Sequence, residues 1–116
     1  MEAQFSAVTV HYQQADFTMR LDLPPLDGIV MANSLHFHRQ KEPILGLVRD
    51  YLKPDGRLIL VEYDVDQGNT WVPYPLAYPT WERLAGRVGF KETRQLALRP
   101  SRFLRGIYSA LSLKQA

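Results

Sequence analysis

The order of apolar and turn-forming segments predicts an α/β fold whose sheet ends in an antiparallel pair. Continuous apolar runs at residues 28–33 and 57–63 are typical of strands buried on both faces. A segment with helical periodicity lies between them. After Gly89 the chain predicts two strands joined by a short turn at residues 99–101. With 116 residues, 46% of them apolar, the chain is long enough for one core, and we expect a single domain.

In the first half of the chain, the pattern predicts two strands and a helix. Residues 7–11 alternate and are rich in β-branched side chains, which favours a strand. Residues 21–25 form a proline-containing connection that is too short for a crossover helix. After the strand at residues 28–33, apolar side chains repeat at the helical period over residues 42–52. Pro43 suits the first turn of this helix, and the Pro54-Asp55-Gly56 turn ends it.

The second half continues with a strand, a loop, a helix and a hairpin. The strand at residues 57–63 leads through an acidic segment into an ordered loop at residues 70–79. Thr80 is the predicted N-cap of a short helix that ends at Gly89. The strands of the hairpin are predicted at residues 90–98 and 103–113. This order indicates a sheet that is mainly parallel and ends in a C-terminal antiparallel hairpin.

Composition excludes several classes of function. The net charge of +2 gives no strong field, so we expect neither a nucleic-acid partner nor a membrane partner. The arginines of the last strands are explained more simply as a solvated rim of the sheet than as a nucleic-acid site. They are Arg94, Arg99, Arg102 and Arg105. Without cysteine the chain has no disulfide and no thiolate metal site. No leader or membrane-spanning stretch is recognisable, and we expect a cytoplasmic protein.

Two passages resemble a known family. They are LDGIVMANSLH at residues 26–36 and LKPDGRLILVE at residues 52–62. Together with Gly89-Phe90 and the order of the elements, they resemble the C-terminal half of class I methyltransferases, which use S-adenosylmethionine. The resemblance covers roughly residues 8–112, and Asp55 stands where the family's turn has its first glycine. It implies a truncated, Rossmann-like methyltransferase sheet and an ancestral transfer of a methyl group to a small acceptor.

The resemblance also implies which part of the cofactor site is present. In the family, a glycine-rich loop holds the methionine part of the cofactor, and an acidic residue at the end of the second strand holds the ribose. This sequence has no Gly-x-Gly, so both elements would have to lie before Met1. The adenine side remains: Asp16 would accept a hydrogen bond from the adenine amino group, beside Phe17 and the segment Asn33-Ser34-Leu35. We therefore expect no micromolar binding of S-adenosylmethionine by the isolated chain.

Polar residues after the buried strands are candidates for the chemistry. His36 is the candidate general base, and no other catalytic residue is identified. The spacing of His36 and His38 would suit a metal ion, but no third ligand is nearby, so we interpret them as a wall or lid of the cleft. Glu62, Asp64 and Asp66 end a strand at the edge where α/β sheets bind ligands; a solvated acidic loop is the simpler interpretation.

Four aromatic residues around the proline-rich loop allow two interpretations. They would line a pocket for the acceptor, or they would pack the loop onto its own domain, which is the interpretation we favour. They are Trp71, Tyr74, Tyr78 and Trp81.

Three functional hypotheses stay open. The chain is a methyltransferase half completed by a partner chain that supplies the N-terminal half, a noncatalytic self-assembling or protein-binding module that keeps the fold, or a fragment of a full enzyme. Without the family's first strand, the strand at residues 28–33 is left as an open edge. The strand at residues 7–11 would fold back beside it or cross to a second copy. We favour the exchange and expect a homodimer. The methyl acceptor is not identified by the sequence.

Overall fold

A computed structural model describes residues 7–115. Four strands form a sheet in the order β1-β2-β4-β3. β1 and β2 are parallel, whereas β2–β4 and β3–β4 are antiparallel. The elements are β1 (Leu26–Ala32), a 3-10 turn (Leu35–Phe37), α1 (Glu42–Tyr51), β2 (Leu52–Tyr63), α2 (Tyr78–Arg87), β3 (Phe90–Pro100) and β4 (Gly106–Lys114).

The predicted α/β class with a C-terminal antiparallel hairpin is confirmed, and the sheet is mixed. Within one chain, residues 7–11 do not form the predicted strand: they do not fold back beside β1, and they are largely exposed. Alternation and β-branching favour an extended backbone, but a strand also needs an edge to pair with. Within the described residues, β1 is therefore the edge strand at the parallel end of the sheet. Val30 of β1 is 65% exposed.

The helix α1 forms as its sequence predicts. Pro43 lies in its first turn, and Ile44, Leu45 and Val48 are buried against the sheet. The chain passes from Tyr51 directly into β2, so the predicted turn lies within the first residues of that strand. Gly56 is needed there because a Cβ atom would lie 2.8 Å from the carbonyl oxygen of Lys53.

The helix α2 begins at Tyr78, with Ala77 as its N-cap, so the predicted N-cap Thr80 is wrong. The reason is non-local. Asp66 Oδ1 accepts the backbone N–H of Ala77, and Asp64 Oδ1 accepts that of Tyr78, both at 2.9 Å. These carboxylates bind N–H groups that would otherwise have no partner at a helix start. Asp64 and Asp66 thus hold α2 beside the end of β2.

The hairpin turn lies later than predicted. It comprises residues 101–105, because β3 extends to Pro100, which pairs with Gly106. A Cβ atom on Gly106 would lie 3.1 Å from the carbonyl oxygen of Arg99, so the strands meet closely at this point. Phe103, predicted to begin the last strand, therefore projects from the turn.

The core lies between the sheet and the helices. Central β2 contributes Leu58 and Leu60, and β4 contributes Tyr108, all at most 1% exposed. The helix α2 contributes Trp81, which is fully buried. Among the described residues, no helix is both long and apolar enough to cross a membrane.

Candidate active site

His36, which lies beyond the end of β1, and Glu62, near the end of β2, form a buried pair. After β1 the backbone turns at Asn33, whose φ of 54° lies in the left-handed region that asparagine tolerates. The Asn33 N–H donates to the carbonyl of Val61 at 3.0 Å, which continues the strand pairing. The following 3-10 turn brings His36 to the last residues of β2. His36 is 3% exposed and Glu62 is fully buried.

The carboxylate of Glu62 holds both the ring and the main chain of His36. Glu62 Oε1 lies 2.7 Å from His36 Nδ1, and Oε2 accepts the His36 backbone N–H at 3.1 Å. On the other side, the His36 carbonyl accepts the backbone N–H of Tyr74 at 2.8 Å. Three polar groups of one residue are therefore fixed, and the orientation of the imidazole is determined before any ligand binds.

This geometry determines which ring nitrogen of His36 is free. An ionised carboxylate only accepts hydrogen bonds, so the Nδ1 atom that faces Glu62 carries the proton. The lone pair is then on Nε2, which makes no hydrogen bond to any of residues 7–115. The carboxylate behind Nδ1 also fixes the orientation of the ring. The arrangement fits a base that accepts a proton at Nε2.

Lys41 ties together the two loops around this pair. Its Nζ donates to the carbonyl oxygens of His38 and Tyr74, both at 2.7 Å. Burial lowers the pKa of Lys41, and the negative charge of Glu62 acts in the opposite direction. Lys41 therefore places a cation near the buried carboxylate and holds the proline-rich loop against the segment that carries His36.

The residues predicted for the adenine side lie around the free edge of β1. Phe17 and Ser34 border a mainly apolar groove of about 400 Å³ on β1 and α1. Asn33 is exposed near its end, whereas the side chain of Leu35 is buried in the core and offers only its backbone. The exposed Asp16 precedes Phe17. Among these five residues, the structure therefore brings two to one groove.

Asp16 retains a free oxygen for a ligand. Its Oδ1 accepts the Thr18 N–H at 3.0 Å and the Thr18 hydroxyl at 2.6 Å. These hydrogen bonds lower the pKa of Asp16. The other oxygen, Oδ2, has no partner among residues 7–115 and suits an amino group. Asp16 is not among the residues that line the groove, and the sequence has no glycine-rich loop for the methionine end of S-adenosylmethionine.

His38 does not join His36 in a polar site. Its ring contacts Phe17 edge-on, with the ring centroids 5.2 Å apart. Among the described residues, no group of three or more His, Cys, Asp or Glu side chains is arranged to hold a metal ion. His38 forms part of the wall between Phe17 and the 3-10 turn.

The four aromatic residues of the proline-rich segment separate into two pairs. Trp81 is buried, and the ring of Tyr78 contacts that of Tyr108 in the core. Trp71 and Tyr74 are exposed, at 72% and 42%. No sequence pattern joins Trp71 with Phe103, whose ring centroid lies 6.5 Å from that of Trp71. The available signal was an aromatic residue between two arginines in a turn.

The fold is similar to solved methyltransferases. The CurJ carbon methyltransferase matches with a TM-score of 0.75 and 19% identity, over 99% of this chain and 38% of that one. The DszA carbon methyltransferase matches with a TM-score of 0.73 and 18% identity, over 97% of this chain and 35% of that one. Human N-acetylserotonin methyltransferase, in complex with S-adenosylmethionine, matches with a TM-score of 0.68 and 17% identity, over 90% of this chain and 33% of that one. The chain spans about a third of the length of these structures.

No protein-family model and no curated protein matches the sequence. At these identities the structural matches establish the fold. The parallel pair β1–β2 and the antiparallel order β2-β4-β3 agree with the matched structures. This chain has the fold of the C-terminal part of a class I, S-adenosylmethionine-dependent methyltransferase.

Proposed function

We propose that the chain is the acceptor-side part of an S-adenosylmethionine-dependent methyltransferase in which His36 removes a proton from a small acceptor. The observation that carries this proposal is the double contact between Glu62 and His36, at 2.7 and 3.1 Å. A buried carboxylate that fixes both the ring and the backbone of one histidine is an arrangement suited to a positioned base.

The role of each residue follows from its contacts. Nε2 of His36 accepts the proton of the acceptor, and the carboxylate of Glu62 stabilises the imidazolium that results. Loss of the proton leaves an electron pair on the acceptor, which makes it a stronger nucleophile. When bound, S-adenosylmethionine supplies the electrophilic methyl group. A base is most useful for an acceptor that is a weak acid, such as an activated C–H or a hydroxyl. Two of the similar structures are carbon methyltransferases.

The cofactor would be held on this chain only at its adenine end. Asp16 Oδ2 would accept from the adenine amino group, while Phe17 and Ser34 border the groove. Each missing charge-assisted hydrogen bond to the methionine and ribose parts costs about 1.5–3 kcal/mol. Two or three such losses weaken binding by several orders of magnitude. We therefore propose that the active form needs a second segment, with a glycine-rich loop, beside β1.

The test fuses this chain to the cofactor-binding part of the CurJ carbon methyltransferase and measures transfer of a labelled methyl group to a panel of weak acids. We expect transfer with the wild-type sequence, a loss of about 10²–10⁴-fold for His36→Gln, and a smaller loss for Glu62→Gln. His11→Gln is the matched control, since His11 is exposed and far from Glu62 in sequence. If a fusion that binds the cofactor works equally well with His36→Gln, the proposed base is wrong.

A noncatalytic module is the second candidate, favoured by the exposed edge of β1 and its apolar groove. Such a module would bind a protein chain and not the cofactor. Calorimetric titration of the isolated chain with S-adenosylmethionine bears on both proposals. Micromolar binding that Asp16→Ala abolishes would mean that the chain alone holds the cofactor, contrary to both the partner requirement and the module hypothesis.

A further inference from the structure

We propose that Tyr63, Trp71 and Phe103 form a platform that binds a planar, conjugated anion. The three rings border a shallow depression of about 440 Å³ that is widely open to solvent. That volume is within the range of small-molecule sites. Phe103 is the central ring: its centroid lies 5.6 Å from that of Tyr63 and 6.5 Å from that of Trp71. This set of three residues is called the aromatic platform below.

The exposure of the aromatic platform points to a ligand. Trp71 is 72% exposed and Phe103 is 39% exposed. Large aromatic side chains gain most from burial, so two neighbouring ones left open to water mark a surface that a ligand covers. Inclined rings, with interplanar angles of 61° and 68°, form a cleft in which a flat molecule contacts one ring with its face and another with its edge.

The loop that carries Trp71 is a rigid support. Asn69 Oδ1 accepts the backbone N–H groups of Trp71 and Val72, both at 2.9 Å, and the Asn69 N–H donates to the Val72 carbonyl at 2.9 Å. Gly68 lies so close to this turn that an added Cβ atom would clash with the Val72 carbonyl oxygen. The exposed position of Trp71 is therefore built into the backbone, which lowers the entropic cost of binding.

The turn that carries Phe103 supplies positive charge. Residues 99–105 contain three arginines and no acidic residue. Arg102 precedes Phe103 and is exposed. Arg105 is also exposed, and it lines a neighbouring cavity with Asp64. Neither forms an ion pair with another of the described residues. Guanidinium groups prefer carboxylate and other oxyanions, so the anion is the charged class that this turn complements.

The platform leads to the candidate base. Tyr63 follows Glu62 directly in β2, and its ring centroid lies 5.9 Å from that of His36. The Asp64 N–H donates to the Gly106 carbonyl at 2.8 Å, which ties the arginine-rich turn to the residue after Tyr63. A ligand on the platform would therefore lie beside the His36–Glu62 pair. That this ligand is the methyl acceptor rests on the proposed function, whereas its binding does not.

The test titrates the isotope-labelled chain with 2-naphthoate, which is planar and anionic, and with cyclohexanecarboxylate, which is anionic but not planar. NMR resolves the two indole N–H signals, because the chain has two tryptophans. We expect 2-naphthoate to shift the Trp71 signal to saturation and to leave the buried Trp81 unchanged. Cyclohexanecarboxylate should bind about tenfold more weakly, since it cannot stack.

Variants distinguish binding at the aromatic platform from non-specific binding to other apolar surfaces. Trp71→Ala should weaken binding about tenfold, and the Trp81 signal reports whether that variant is folded. Arg102→Gln with Arg105→Gln should weaken it several-fold and reduce its dependence on salt. Tyr12→Ala, which removes another exposed aromatic side chain, should change nothing. Binding is measured on the isolated chain without S-adenosylmethionine, so that loss of binding and loss of methyl transfer are distinguishable.

Three results would overturn the proposal. Equal affinity for the two carboxylates would mean that flatness is not recognised. Unchanged affinity in Trp71→Ala would remove the platform from the site. A Trp71 signal that moves with protein concentration in the absence of ligand would assign this surface to contact between copies of the chain.

Discussion

Glu62 contacts His36 twice, once at the ring and once at the backbone, although the two residues are 26 positions apart. The contact depends on the parallel register of β1 and β2, in which Ala32 pairs with Val61. Four residues after Ala32 the chain has turned back over the residue that follows Val61. The site is therefore a product of the sheet, and its geometry is as stable as the pairing of these two strands.

The buried pair makes a large contribution to stability. Glu62→Ala leaves the Nδ1 and backbone N–H of His36 without partners in the interior, so we expect the free energy of unfolding to fall by about 3–5 kcal/mol. Urea denaturation followed by circular dichroism measures this. Glu82→Ala is the control, because Glu82 is exposed, and it should change stability by no more than about 0.5 kcal/mol. Equal effects of the two variants would contradict the account of Glu62.

Sequence reasoning found the members of this pair but not the pairing. The sequence indicates His36 only as a candidate base, and it places Glu62 among acidic residues at a strand end. Their contact needs the register of two strands, which local patterns do not specify. The same limit explains α2: Thr80 is a good local N-cap, but the distant Asp64 and Asp66 bind the N–H groups of an earlier start. Helical periodicity, which is local, did predict the buried face of α1.

Two glycines should respond in opposite ways to replacement by alanine. Gly68→Ala forces the loop beneath Trp71 to rearrange, and we expect a loss of about 1–3 kcal/mol with a changed Trp71 indole signal. Gly86→Ala lies in α2 with nothing within 4 Å of the added Cβ, and should stabilise by about 0.5–1 kcal/mol. Thermal unfolding measures both. Two variants that change stability in the same direction would contradict this prediction.

Asp16 should show a defined response to acid. Hydrogen bonds from Thr18 lower its pKa below the ordinary 3.8. A depressed carboxyl pKa adds stability above 3.8 that is lost as the pH falls through the folded-state value. Thr18→Val removes the hydroxyl bond and keeps the backbone one. We therefore expect the pKa of Asp16 to rise part of the way to 3.8, and the variant to be less stable at neutral pH only.

A ¹³C NMR titration of the carboxyl signals measures the pKa of Asp16 in both proteins. Thr70→Val is the control, since Thr70 is exposed in a different loop. An Asp16 pKa that is the same in wild type and Thr18→Val would contradict the role of the hydroxyl.

The free edge of β1 should drive self-association. Val30 is 65% exposed on a strand with one hydrogen-bonding edge unpaired among the described residues, a configuration that folded proteins avoid. We expect sedimentation at micromolar concentration to give twice 13.4 kDa. Val30→Lys should yield a monomer, whereas Leu98→Lys on β3 should not. A folded, soluble wild-type monomer would contradict the prediction.

The burial of an aromatic residue could be predicted only where it lies in a helix or strand, because the period of that element distinguishes its inward face from its outward face. Trp81 shares the inward face of α2 with Leu84 and Ala85, a spacing that predicted its burial. Trp71 lies in a loop, where no period distinguishes inside from outside. Its position depends on Gly68 and Asn69, and its neighbour Phe103 comes from a turn 32 residues away. The aromatic platform could not be derived before the fold was known.

Glu62 holds His36 with a free Nε2, and the tautomer of His36 in solution decides whether this arrangement is correct. Long-range ¹H–¹⁵N NMR of the histidine-labelled chain at neutral pH distinguishes the two forms. We expect the proton on Nδ1 in the wild type and a mixture of tautomers in Glu62→Gln, with His11 unchanged between the two proteins. A wild-type His36 that carries its proton on Nε2 would contradict the account, because no lone pair would then be available to receive the proton of an acceptor.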